Sequence, residues 1–150
     1  MQKSIEIRLI DLTVALVIVL LFAAIAVPSY GAFANKARVA TAIGEIGDLS
    51  IAIEKFGFQN DDRIPMTLDE IGIPVPLDPW GQPYEFLNIV ATSVSSAPRR
   101  DRALNLLNSD FDLYSRGRDG ESAVPLSAKQ SRDDILRANN GAYIGLGEDY

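Results

Sequence analysis

The chain holds no histidine and no cysteine, which removes thiol nucleophiles, disulfides, most zinc sites and the commonest general base. What remains for chemistry is oxygen. Asp119 lies between Gly117 and Gly120, directly after a strand-like run, and Asp133 and Asp134 arrive after a further loop. Calcium takes about six to eight oxygens, which turns supply as carbonyls beside carboxylates. No EF-hand spacing accompanies these acids, so solvated loop acids are the default reading. Ser127 and Lys129 are close in sequence, yet no second motif makes them a Ser/Lys hydrolase pair. The pairs Asp61–Asp62 and Asp69–Glu70 suit solvent, and "GLG" at 145–147 lacks the rest of a phosphate loop. Residue chemistry therefore predicts a protein that is not an enzyme.

Asp11 is the acid most in need of explanation, because it interrupts "LIDLTVALVIVLLFAAIAVPSY". In a helix, residues 9–27 cover about 28 Å, close to the hydrocarbon thickness of a bilayer. Two plain readings compete. One is a single-pass anchor. The other is a secretory signal peptide, with Lys3 and Arg8 in its basic region and Ala24-Ile25-Ala26 as cleavage site, although Glu6 and Asp11 sit badly there.

The elements downstream argue for more than anchoring. Val39, Ile43, Ile46, Leu49, Ile53 and Phe56 recur at helical spacing, with Lys36, Arg38, Glu45, Asp48, Glu54 and Lys55 mainly on the other side. One helix is expected to leave the membrane and become the spine of a soluble domain, kinked at Pro28. The proline-rich stretch after Gly57 reads as an ordered loop with one short turn at 68–71. Strands are expected at 84–90, 111–115 and 142–146, with an exposed polar loop over 91–110. "DPWG" reads as a rigid turn, with Trp80 covering the end of the helix core. The sum is α+β: a long helix packed on a small antiparallel sheet. At 150 residues, 47% hydrophobic and 23% charged, the chain can build one sizeable core. A net charge of −6 without a basic patch argues against a nucleic-acid partner.

Three segments carry a resemblance. "LFAAIAVPSY" resembles the end of a pilin membrane helix, "LDPWGQPYEFL" a loop-to-sheet motif, and "FDLYSRGRDG" with "DDI" at 133–135 a calcium-binding C-terminal region. Together they resemble type IV pilin-like proteins, most closely the major pseudopilins of type II secretion systems. The resemblance implies a pilin-like fold and a homopolymeric filament supporting export across the outer membrane. Other pseudopilins, an inner-membrane assembly platform, a prepilin peptidase and the bilayer are the implied partners. Implied boundaries are a short cytoplasmic leader-like segment at 1–8, a transmembrane and assembly helix at 9–30, and a periplasmic domain at 31–150. It also implies Ca2+ held by Asp119, Asp133, Asp134, the carbonyl of Arg116 and an oxygen of Ser131. A type IV pilus subunit, or an unpolymerised membrane-tethered calcium-binding protein, are the alternatives.

In the family a glutamate at the position of Asp11 neutralises the amino terminus of a neighbouring subunit, and a carboxylate in hydrocarbon needs such a partner. Asp11, Arg8 and Pro28 are the implied assembly residues. Arg8 either pairs with Asp11 across one helical turn or snorkels to the headgroups. Aligned on Pro28, Glu6 falls where the cleavage glycine belongs and Ile7 where a phenylalanine follows it, so the cleavage site is atypical.

Overall fold

Helix α1 spans Leu9–Gln59. The computed structural model describes residues 8–91 and 97–150, and the side chains of 26–29 lie outside that description. Two compact units divide after Ala37. In the first, the apolar run supplies strong helix formers such as Leu and Ala, and every described side chain of residues 9–25 is exposed. The helix is long and apolar enough to cross a membrane, with a mean hydropathy of 2.8 over 18 residues. The kink expected at Pro28 lies outside the described side chains.

In the second unit α1 becomes amphipathic. Ala42, Ile46, Leu49 and Ile53 are buried, with Val39 and Ile43 packed at the edge of the same cluster. The helix ends where Asp61 and Asp62 both take positive φ, at 55° and 59°, a region that Asn and Asp enter more easily than other L-residues. The N–H of Asp62 donates to the carbonyl of Gly57 and the Asn60 amide to that of Phe56, which satisfies two terminal acceptors. A single 3-10 turn at Leu68–Ile71 follows, as the spacing predicts.

The sheet is a four-stranded antiparallel meander: β1 (Glu85–Asn88), β2 (Phe111–Ser115), β3 (Ile135–Ala138) and β4 (Tyr143–Leu146), in that spatial order. Alternate residues serve two cores, as the period of a strand requires. Phe111, Leu113 and Ile135 join the helix cluster, while Leu136 and Ala138 join Leu107 and Leu126 on the opposite face. The sheet is therefore covered on both sides, by α1 and by irregular chain.

That second cover corrects two expectations. Strand β3 was absent from the sequence reading because Ile-Leu-Arg-Ala shows no apolar/polar alternation; all four residues are buried, two on each face. The stretch 91–110 is not uniformly exposed, since Arg99, Leu107 and Asn108 are interior. Residues 92–96 within it lie outside the described residues.

Two polar links brace the unit. The Asp78 carboxylate accepts the N–H of Trp80 at 3.0 Å and of Gln82 at 2.8 Å, while its other oxygen takes the Ser115 hydroxyl at 2.5 Å. The "DPWG" turn is thus tied to the end of β2, and Trp80 packs at the edge of the helix core as expected. The Tyr84 hydroxyl donates to Glu45 Oε2 at 2.5 Å, so Glu45 is a helix-to-sheet bridge rather than part of a solvated face. Burial, then the bond to Glu45, pushes the Tyr84 phenol well above its ordinary range.

Candidate functional site

At the start of α1 the Asp11 carboxylate accepts the backbone N–H of Arg8 at 3.2 Å, while the Asp11 and Leu12 amides donate to the Arg8 carbonyl. This is the reciprocal half of a capping box: an acid in the first turn satisfies an orphan donor and faces the positive end of the helix dipole. Arg8 and Asp11 are brought together through the Arg8 backbone, with the carboxylate exposed. Thr13 donates its hydroxyl to the Ile10 carbonyl, so it needs no other partner in an apolar run. Glu6 and Ile7 lie outside the described residues.

At the other end of the chain, four of the five residues implied as calcium ligands divide into two groups by the direction of their side chains. Asp119 and Asp133 line an open cleft of about 530 Å³ with Glu121, Lys129, Gln130 and Arg132. Asp133 Oδ2 accepts the N–H groups of Arg118 and Asp119, at 2.9 and 3.0 Å. Asp119 Oδ1 takes the N–H of Glu121 at 2.9 Å. This close fold needs Gly117, which sits at φ 65° and whose absent Cβ would collide with the Asp133 carbonyl. The Arg116 side chain reaches outward to Glu85 at 2.5 Å.

Asp134 and Ser131 face inward instead. Ser131 is fully buried; its hydroxyl donates to the Ala123 carbonyl at 2.8 Å and accepts the Ala123 N–H at 3.1 Å. Asp134, also fully buried, gives one oxygen to Arg99 Nη2 at 2.6 Å and to the Ser122 hydroxyl at 2.7 Å. Its other oxygen is buried and unpartnered. Burial outweighs the Arg99 charge and pushes the Asp134 carboxyl up to about 6. No cluster of three or more acidic side chains able to hold a metal occurs among the described residues. The side chains of Asp119 and Asp133 thus face the cleft, whereas those of Ser131 and Asp134 are turned into the interior.

Sequence reasoning missed Arg99. It lies in "SAPRRDR", where nothing local separates it from Arg100 and Arg102, and its partner Asp134 is 35 residues away. Arg137 is a second buried cation. It forks onto Asp110 at 2.9 and 2.7 Å and stacks 3.9 Å from the Phe111 ring centroid. Burial works against the Asp110 charge, but the Arg137 bonds prevail and hold its carboxyl below the usual range.

The chain is 27% identical over 133 residues to the type II secretion system core protein G of Pseudomonas aeruginosa, covering 75% of this chain and 82% of that protein. No family profile matches, and no solved structure matches. The similarity supports a pseudopilin-like relationship, in agreement with the long apolar helix and the α+β fold.

Proposed function

We propose that the chain is a structural, non-catalytic subunit of a type II secretion pseudopilus, polymerising through residues 9–30 and presenting its second unit to the periplasm from the inner membrane. The observation that carries the reading is the exposed stretch 9–25, apolar apart from Asp11 and Thr13, on a chain similar to a secretion core protein. A helix of that kind needs lipid, other helices, or both. Ala23 and Ala24 allow helices to approach closely there. Asp11 keeps a dual role: it caps the helix in the isolated subunit, and its exposed carboxylate is free to meet a cation from a neighbour. Calcium is not required by this proposal.

Asp11→Ala tests it. Removing a charge from the apolar run leaves membrane insertion intact, whereas amine-reactive crosslinking through the exposed Lys36 and Lys55 yields fewer high-order species than the unsubstituted chain. Equal ladders from both membranes would leave Asp11 with a capping role alone.

A further inference from the structure

We propose that the guanidinium of Arg99 is the cation that clamps the C-terminal loop to the sheet, in the place that the resemblance gives to a metal ion. Arg99 is 4% exposed and reaches three segments remote in sequence. Its backbone N–H donates to Asp112 Oδ2 on β2 at 2.7 Å. Nη2 meets Asp134 immediately before β3 at 2.6 Å, and Nη1 meets the Ser122 hydroxyl at the start of the 121–132 segment. The Tyr114 ring lies 4.3 Å from the guanidinium carbon, adding a cation–π contact. One planar fork thus joins β2, β3 and the loop, which a lysine ammonium does not reproduce.

The contacts at Asp134 Oδ2 supply its counter-charge from within the chain, although Oδ1 stays unpartnered. A buried carboxylate without a counter-charge is costly, and Arg99 supplies that charge from within the chain. The oxygen nearest the loop already takes two donors, Arg99 and Ser122. A divalent ion bound to the same oxygen would stand beside a guanidinium and be repelled by it. The loop beyond Ser122 is then fastened a second time by Ser131 on the Ala123 backbone. A tethered cation acts at unit stoichiometry whatever the free calcium, so the clamp carries no ion-concentration dependence.

The test is thermal melting of the full-length chain in detergent micelles, with calcium and with excess EDTA, alongside limited proteolysis of the 121–132 segment. The unsubstituted chain is expected to melt within about 1 °C in both buffers. Arg99→Met, which strands a buried carboxylate, is expected to lower the midpoint by more than about 10 °C and open the segment to protease. Arg99→Met combined with Asp134→Leu removes both charges and is expected to recover most of that loss. A calcium-dependent rise of several degrees in the unsubstituted chain, abolished by Asp134→Asn, would make Asp134 a metal ligand and overturn the proposal. Melting of Arg99→Met with the unsubstituted chain would overturn it equally. If Arg99→Met does not fold, the calcium and EDTA comparison on the unsubstituted chain still decides.

Discussion

Residues 9–25 and residues 39–56 belong to one helix and are both rich in aliphatic side chains, yet their surroundings are opposite. Leu16, Leu20 and Phe22 are more than half exposed, whereas Ala42, Ile46, Leu49 and Ile53 are almost fully covered by the sheet. The difference lies in pattern. The second stretch confines its apolar residues to one stripe, which β1–β4 cover from within the same chain. The first, apart from Asp11 and Thr13, is apolar on every side, the pattern of a helix long and apolar enough to cross a membrane. Helix stability in the second stretch is thus a property of the folded unit, and in the first a property of what surrounds it.

Core truncation should separate the two stretches most sharply. Ile46→Ala is expected to cost about 2–5 kcal/mol of unfolding free energy in denaturant titration. Leu16→Ala is expected to stay within about 0.5 kcal/mol in the same assay, because its side chain is exposed. A comparable loss from Leu16→Ala would break the division.

A smaller effect is expected at the polar bridge from helix to sheet. Tyr84→Phe removes the donor to Glu45 and leaves a half-buried carboxylate short of one bond, a loss of about 1–2 kcal/mol in urea unfolding. No change would mean that water replaces the phenol without cost.

Acid titration sharpens the contrast from the other side, because only the second unit carries buried carboxylates among the described residues. The Asp134 carboxyl has an ordinary value of 3.8 and a folded value of about 6. Between those values the folded chain keeps a proton that the unfolded chain has lost, so the Asp134 contribution to stability falls as pH rises from about 4 to about 6 and is level above. Denaturant midpoints measured across that range should show this slope reduced in Asp134→Asn. An unchanged slope would place the titration elsewhere.

How much of this was readable beforehand follows from whether each signal is local. The apolar stripe of α1, β2 and the turn at Leu68–Ile71 depend on spacing within a few residues and were legible. Strand β3 was not, since burial on both faces erases the alternation that marks a strand. Asp119 was singled out by Gly117 and Gly120, Asp133 by its resemblance to a calcium-binding region, and the two do line one cleft. The inward turn of Asp134 depends on Arg99, whose distance along the chain leaves no trace in local pattern. The capping role of Asp11 was overshadowed by its oddity in a greasy run, though an acid in the first turn of a helix is itself a recognisable signal.

Filament formation tests the central claim most directly. The full-length chain, co-expressed with an inner-membrane type II secretion assembly platform, would be examined by negative-stain electron microscopy. Filaments from the unsubstituted chain, shortened or absent in Asp11→Ala at equal membrane abundance, are the predicted result. A chain that inserts fully into the membrane yet gives neither filaments nor crosslinked species above the monomer would contradict the account and leave residues 9–25 as an anchor only.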